Sequence, residues 1–162
     1  TYHSLANDLL LFAELDLDMI GVGPFLPNPQ TPAGQVFEAA SRGPKEPEQV
    51  ANSELMTYKV LALTRLLCPA TNIPSTTALA TLNRTSGREL GLSRGANVVM
   101  PNLTPLKYRN LYEIYPGKAC VNETAEACQV CLLKRIRSLG RTLGQGHGNS
   151  RNWQSRQANE QG

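Results

Sequence analysis

Three of the four cysteines in this 162-residue chain lie close together near its C-terminal end. Cys120, Cys128 and Cys131 are spaced C-x7-C-x2-C within the stretch KACVNETAEACQVC. Asn122 or Thr124 could cap a helix starting here, which would place Cys128 and Cys131 on one helical face near its beginning. A helix N-terminus favours the ionised sulfur, and the thiolate is the form that binds metals. The spacing therefore predicts a thiol site.

The residues alone leave three kinds of thiol site open. A structural zinc ion needs a fourth Cys or His, and the later part of the chain offers only His147. A redox CxxC pair would leave Cys120 without a role. Three thiolates with one free coordination position suit an iron–sulfur cluster, whereas inert or merely reactive thiols are the third alternative. Cys68, at the end of an apolar helix, is interpreted as a packed, inert residue.

The elements that must position these cysteines follow from apolar patterns and stop signals. Short apolar runs are typical of buried parallel strands, and they lie at residues 18–26, 72–80 and 96–102. Helical spacing, caps and proline stops predict helices at residues 4–15, 52–68, 87–94 and 107–115. Residues 33–49 are predicted to form an exposed excursion, and the polar, glycine-rich residues 144–162 a disordered tail. The alternation favours an α/β fold with parallel strands, either a small doubly wound sheet or the last part of a barrel.

Both of these architectures place chemistry at the C-terminal ends of the strands. The first of these ends contains two glycines, at positions 21 and 23, which let backbone groups approach a ligand closely. The second carries the hydroxyls of Thr76 and Thr77, which could donate to a carboxylate or phosphate. Tyr108, Tyr112 and Tyr115 follow the third at helical spacing, so one helical face should carry all three phenols.

Composition excludes several functional classes. The net charge of +3 is mild and lies largely in the C-terminal tail, and no aromatic stripe accompanies it, so nucleic-acid binding is not predicted. No stretch approaches the roughly 18 apolar residues of a membrane span. The few clustered cysteines are unlike a secreted disulfide scaffold, so a cytoplasmic protein is expected.

Several stretches, taken together, resemble one family. They are DMIGVGPFLPNPQTP, LMTYKVLALTRLL, NIPSTTALATLN, GRELGLSRGANVVMPNLTPLKYRNLYEIYPGKAC and the cysteine triplet. From about Leu5 to Gly144 the chain resembles the C-terminal half of the HydE family, the radical S-adenosylmethionine maturases of FeFe-hydrogenase and relatives of biotin synthase. The resemblance implies an α/β fold: about three βα units from the C-terminal part of a (β/α)8 TIM-type barrel, followed by a C-terminal helix and the disordered tail. Residues 1–117 would form the partial barrel and residues 118–143 the cysteine segment with its helix.

The resemblance also implies a chemistry. In the family, a CxxxCxxC loop holds a four-iron four-sulfur cluster that binds S-adenosylmethionine, and the resulting 5′-deoxyadenosyl radical acts on an iron–cysteine carbonyl cyanide precursor. This reaction belongs to assembly of the H-cluster, in which other hydrogenase maturation proteins are partners. The CxxxCxxC loop is absent from this chain. No catalytic residue is therefore assigned, and the chain alone is expected to be inactive although the full-length protein would be an enzyme.

Family roles can be carried over to matching positions of this sequence. The implied cofactor-binding residues are Gly21, Val22, Gly23, Pro24 and Met100. The implied substrate-binding residues are Thr76, Thr77, Tyr112 and Tyr115, and the implied ligands of a second, accessory iron–sulfur cluster are Cys120, Cys128 and Cys131. Asn28 and Gln30 stand where the family is expected to have His and Asp. Two alternatives stay open: another biotin synthase-like radical enzyme, or a non-catalytic α/β module that binds a metal or cluster.

Overall fold

Helices dominate the computed structural model, which describes residues 1–43 and 47–160. In chain order the helices are α1 (Tyr2–Glu14), α2 (Pro32–Ser41), α3 (Glu54–Leu67), α4 (Thr77–Leu82), α5 (Gly87–Ser93), α6 (Leu106–Arg109), α7 (Ala125–Ser138) and α8 (Arg151–Glu160), with a 3-10 turn at Asn110–Tyr112. Within these described ranges no helix combines the length and the apolar character needed to cross a membrane.

Three short extended segments pair side by side between the helices. Met19 pairs with Asn72, and Pro74 pairs with Val98, both in parallel orientation. The backbone N–H of Ser75 donates to the Val98 carbonyl oxygen at 2.9 Å. The parallel order matches the prediction, but the pairing is limited to isolated bridges. The structure is thus helix-rich and poor in strand, and the barrel stays a prediction.

The strand predicted over residues 72–80 is wrong in its second half, because α4 begins at Thr77. The side chain of Thr76 accepts a hydrogen bond from the Leu79 backbone N–H at 3.3 Å and caps the helix. A threonine side chain can satisfy an otherwise unpaired N–H of a first helical turn in this way. Apolar spacing alone could not separate a buried strand from a short buried helix.

The predicted helix through the three tyrosines is also wrong. Helix α6 ends at Arg109, and the 3-10 turn follows it directly. The buried Arg109 side chain donates to carbonyl oxygens before and after this segment, which holds the chain in a compact turn. Tyr108 and Tyr112 are consequently exposed, whereas Tyr115 is half-buried. The three phenols do not share a helical face.

A regular helix, α2, occupies much of the predicted excursion at residues 33–49. Thr31 caps it by accepting a hydrogen bond from the Gly34 N–H at 3.1 Å, and Pro32 follows the cap. A threonine cap followed by proline is a recognised helix start, so this signal was present in the sequence. Residues 44–46 of the excursion lie outside the described residues.

The tail predicted to be disordered contains helix α8, so that prediction is wrong for residues 151–160. The buried Ser150 hydroxyl donates to an Asp18 carboxylate oxygen at 2.5 Å. Arg156 donates to Asp16 at 2.7 Å and to Asp18 at 2.6 Å. These long-range polar contacts fix the tail against the turn that leads into the first extended segment. Residues 161–162 lie outside the described residues.

Two apolar clusters hold the helices together. The first packs α3 and α4 against the second extended segment, through Tyr58, Leu61, Ile73 and Leu79. The second joins α5 and its following loop to α7, through Leu92, Ala96 and Ile136. The second cluster matters for the cysteines, because it anchors the helix that carries two of them against α5.

Candidate functional site

Two of the predicted strand ends lie next to each other. A Cβ atom built on Gly23 would lie 2.9 Å from Thr76 Oγ1, so the backbone after the first segment runs close to the hydroxyl after the second. Gly21, Val22, Gly23 and Pro24 line a cavity of about 490 Å³, whose other walls come from α1, α2, α3 and residues 49–53. This volume lies in the range of small-molecule and cofactor sites.

The two threonines differ in what their hydroxyls do. Thr76 uses its hydroxyl oxygen to cap α4. Thr77 is half-buried, and its hydroxyl makes no hydrogen bond to another described residue, although its carbonyl oxygen accepts from Thr81 Oγ1 at 2.9 Å. Thr76 keeps its O–H free to donate, because the cap engages only a lone pair of its oxygen, whereas the whole hydroxyl of Thr77 is free of hydrogen bonds to other described residues.

The remaining predicted cavity residues are less closely gathered. Met100 is 53% exposed and Tyr112 is 59% exposed. Tyr115 is half-buried. Burial raises the pKa of the Tyr115 phenol, against the lowering effects of a hydrogen bond with Thr81 and the positive charge of Arg88. The structure thus places Tyr115 beside α4 and α5 and leaves the other two facing solvent.

Asn28 links the loop after the first strand end to the tyrosine segment. Its side-chain N–H donates to the Ile114 carbonyl oxygen at 3.2 Å, and its side-chain oxygen accepts from the Gln30 N–H at 3.0 Å. The Asn28 side chain therefore fixes this loop, and Gln30 takes part through its backbone N–H alone. Gly23 thus lies beside Thr76, and Asn28 joins the loop after the first strand end to the tyrosine segment.

The three cysteines of the triplet border a second, smaller cavity of about 140 Å³. Its walls come from α4, α5, the loop before α7 and α7 itself. The residues that line it are Ala80, Arg84, Arg88, Ala119, Cys120, Glu123, Cys128, Cys131, Leu132 and Arg135. Thr124 caps α7 as predicted, accepting from the Ala127 N–H at 3.1 Å. Cys128 is buried and Cys131 is exposed.

Two arginines point N–H groups at cysteine sulfur. Arg88 Nη2 lies 3.5 Å from Cys120 Sγ, and Arg135 Nε lies 3.4 Å from Cys131 Sγ. Burial raises the pKa of the Cys120 thiol, and the charge of Arg88 opposes that increase. Cys120 itself has a positive φ of 62°, a left-handed conformation that is uncommon for residues other than glycine.

The Cys120 loop is held in this conformation by a buried clamp. Arg109 Nη1 donates to the Cys120 carbonyl oxygen at 3.3 Å and also donates to the Glu123 carbonyl oxygen. Asn102 adds a hydrogen bond to the same Cys120 oxygen at 3.1 Å. The third predicted strand end therefore positions the cysteine loop. Left-handed backbone persists in a residue with a side chain only where the surroundings impose it.

The triplet shares one cavity without being gathered around one point. In the described parts of the chain, no three or more Cys, His, Asp or Glu side chains are arranged so that they could hold a metal ion. The donor chemistry nevertheless suits an iron–sulfur cluster, because such clusters are bound by thiolates and their negative charge is matched by the arginines of the cavity wall. Binding would require the cysteine side chains to turn toward one another, so the accessory cluster stays a prediction.

Sequence reasoning missed the arginines of this cavity. Arg135 could have been found, because it lies four residues after Cys131 on the same helix and so shares its face. Arg88 gave no such signal. An arginine is almost never fully buried unless it is paired, yet Arg88 is only 5% exposed.

No family model matches the chain. The chain is 45% identical over 148 residues to the [FeFe] hydrogenase maturase subunit HydE of Thermotoga maritima. The resemblance to HydE is confirmed. The aligned region covers 91% of this chain and 38% of the length of HydE, so the chain spans well under half the length of that relative.

Proposed function

We propose that the chain is part of a radical S-adenosylmethionine enzyme that matures the H-cluster of FeFe-hydrogenase by assembling its di-iron subcluster. The observation that carries this proposal is the 45% identity to HydE over 91% of the chain. The parallel order of the three extended segments and the adjacency of Gly23 and Thr76 support it. The barrel fold, of which the chain would supply about three βα units, belongs to the same proposal.

The strand ends would form one side of the reaction cavity. Residues 21–24 would approach the adenosine of S-adenosylmethionine with their backbone, because glycines allow close contact. Thr77 would donate its unused hydroxyl to an anionic group of the substrate, the iron–cysteine carbonyl cyanide precursor, while Thr76 fixes the start of α4. Tyr115 would line the cavity with a protonated phenol, since burial raises its pKa. Met100 and Tyr112 would be covered by other parts of the full enzyme.

The proposal includes two iron–sulfur clusters, and this chain would supply ligands to only one of them. The CxxxCxxC motif, whose cysteines would hold the four-iron four-sulfur cluster that supplies the electron for cofactor cleavage, does not occur in this sequence. The accessory cluster would be held by Cys120, Cys128 and Cys131. This chain's own contribution to the radical reaction would be to bind and orient, and we expect it to be inactive alone. Other hydrogenase maturation proteins would be partners of the full enzyme.

A chimeric enzyme tests the proposed activity. The matching region of Thermotoga maritima HydE is replaced by this chain, and the purified chimera is assayed anaerobically for 5′-deoxyadenosine and for activation of apo-hydrogenase with its partner maturases. We expect both activities. A folded chimera that carries its four-iron four-sulfur cluster and binds S-adenosylmethionine but produces neither would contradict the proposal.

A matched pair of threonine variants tests the proposed role of the second strand end. Thr77→Val removes the unused hydroxyl with little change in shape, and Thr85→Val makes the same change at an exposed position. Loss of one hydrogen bond to a charged group should weaken substrate use about ten- to hundredfold in Thr77→Val. Thr85→Val should match the parent chimera. Equal activity of the two variants would remove Thr77 from the substrate site.

Anaerobic reconstitution with iron and sulfide tests the accessory cluster. Absorption and EPR spectra should report a cluster in the wild-type chain and none in the Cys120→Ala/Cys128→Ala/Cys131→Ala variant. Cys68→Ala is the control, because Cys68 is buried at the end of α3, outside the cavity, and should leave iron content unchanged. Undiminished iron in the triple variant would refute the assignment.

The cysteine cavity itself favours a second candidate function, a module that binds a metal or cluster without catalysis. Its specific support is that all three thiols and three arginines border one cavity. This candidate predicts that the chimera reconstitutes the accessory cluster but forms no 5′-deoxyadenosine, an outcome that the first candidate excludes.

A further inference from the structure

Arg88 is a buried cation with unused hydrogen-bonding capacity. It is only 5% exposed, and its Nη1 atom is buried with no hydrogen-bond partner among the described residues. Its Nη2 atom reaches only the sulfur of Cys120, at 3.5 Å. Sulfur is a weak acceptor, and no carboxylate of the described residues lies within ion-pair distance of Arg88. A buried charge left in this state is costly.

Arg65 and Arg109 are also largely shielded from solvent, but their guanidinium groups donate hydrogen bonds to oxygen acceptors. Arg65 donates to several acceptors, including the carbonyl oxygens of Gly95 and Thr71 at 2.9 and 2.8 Å. Arg109 donates to the carbonyl oxygens around the cysteine loop. Both arginines act as structural clamps. Arg88 is different, because its guanidinium borders a cavity and lacks oxygen partners.

The charges around the cavity are predominantly positive. Arg84, Arg88 and Arg135 all line it, and Glu123 is its one carboxylate among the described residues. Arg135 is already paired with Glu89 at 2.6 Å. The cavity volume of about 140 Å³ is below the range of drug-sized or nucleotide ligands, yet it exceeds the roughly 30 Å³ of a single water several-fold.

We propose that the cavity between α4, α5 and α7 binds a small inorganic oxyanion, sulfate or one of its size, through the free N–H groups of Arg88. Arg84 and Arg135 add positive charge at its walls. The anion supplies the oxygen acceptors that Arg88 lacks, and charge-assisted hydrogen bonds of this kind are the strong ones. The three cysteines line the same cavity, so the anion and the proposed accessory cluster would exclude each other, and the anion site is a property of the cluster-free chain. It does not depend on the proposed maturase activity, because its ligands are the guanidinium groups and not the thiols.

Calorimetric titration of the cluster-free chain with sodium sulfate tests the site, against sodium chloride at equal ionic strength. Wild type should bind one sulfate per chain. Arg88→Gln should bind it at least about tenfold more weakly, as expected for lost charge-assisted bonds. The matched control is Arg137→Gln, which removes the same charge from an exposed position of α7 outside the cavity and should bind like wild type.

No saturable sulfate binding by wild type would overturn the proposal, and so would equal affinity of the Arg88 and Arg137 variants. If circular dichroism shows that Arg88→Gln does not fold, alkylation of the wild-type chain decides instead. Sulfate should then slow the reaction of Cys120 with iodoacetamide, and leave the reaction of Cys68 unchanged. Equal Cys120 rates in sulfate and chloride would refute the site. Each readout uses protein without cluster, so failure here leaves the proposed function untouched.

Discussion

Replacement of Gly91 by alanine should destabilise the chain, although it lies inside a helix. In an exposed helix, alanine is favoured over glycine by about 1 kcal/mol. Gly91 is buried in α5, and a Cβ atom there would meet Ser75 Oγ at 2.4 Å and Leu79 Cδ2 at 3.1 Å. Ser75 cannot move freely, because it is 1% exposed and its hydroxyl donates to the Arg88 carbonyl oxygen at 3.1 Å.

The magnitude follows from these opposing effects. Overpacking of a tight core costs about 1–3 kcal/mol, so the net effect of Gly91→Ala is a loss of about 1 kcal/mol. Ser75→Ala alone should also cost about 1 kcal/mol, the value of one hydrogen bond. In the double variant the clash with Oγ is gone, while the contacts at 3.1 Å with Ser75 Cβ and Leu79 Cδ2 remain and offset the roughly 1 kcal/mol that alanine gains over glycine. Its free energy of unfolding should therefore be about that of Ser75→Ala alone. The two substitutions would then be coupled by about 1 kcal/mol.

Urea denaturation followed by far-ultraviolet circular dichroism gives the free energy of unfolding of the wild type, the two single variants and the double variant, which together form a double-mutant cycle. Comparable m-values in the four chains would show that the change lies in the native state. A stabilised Gly91→Ala chain would refute the predicted clash. Strictly additive substitutions would refute the contact between Gly91 of α5 and Ser75 at the second strand end, and with it the packing of α5 that places Arg88.

Three further predictions concern the tail and the core. Ser150→Ala should cost α8 about 1 kcal/mol of capping energy and speed proteolysis within residues 141–149, whereas Ser155→Ala, exposed on the same helix, should not. The hydrogen bond from Ser150 and the charge of Arg156 lower the pKa of Asp18. The tail contact is therefore fully present above the ordinary aspartate pKa of about 4 and is lost as pH falls through the lowered value. Hydrogen exchange of the tail amides should become faster at that low pH, and also at high salt. Burial and a neighbouring carboxylate raise the pKa of the Tyr58 phenol, so the free energy of unfolding of the wild type should fall as pH rises above about 10. Urea denaturation at about pH 9 and 11 should show a smaller decrease in this free energy for Tyr58→Phe than for the wild type.

The parts of the fold that depend on local chemistry were predictable. Ser53 and Thr124 cap α3 and α7 from positions that the sequence indicates, each accepting a backbone N–H. Gly95 ends α5 with a φ of +118°, as predicted for a C-terminal glycine. The order of the three extended segments also followed from the alternation of apolar runs with helices. For the caps and the glycine, the deciding interaction lies within a few residues of the signal.

The parts that failed depend on contacts between distant residues. Helix α8 has a polar composition typical of disorder, and what fixes it is the pairing of Ser150 and Arg156 with Asp18, more than 130 residues away. The helix expected through the tyrosines ends early because Arg109 is clamped by carbonyl oxygens on either side of it. Apolar spacing and composition carry no information about such polar partners.

The two candidate sites are physically connected through α4. Its first residue, Thr77, belongs to the strand ends, and Thr81, one turn later, accepts a hydrogen bond from the Ala119 N–H at 3.0 Å beside the cysteine loop. The hydrogen bond with Thr81 and the charge of Arg88 both act to lower the pKa of the Tyr115 phenol. A change of charge in the cysteine cavity therefore acts on the phenol that the proposed reaction cavity uses, across one short helix. An anion bound in the cysteine cavity should weaken the effect of the Arg88 charge and raise the pKa of Tyr115 further. Ultraviolet titration of the phenols in wild type and Tyr115→Phe can resolve this shift. A Tyr115 titration that sulfate leaves unchanged would show that the two sites act separately.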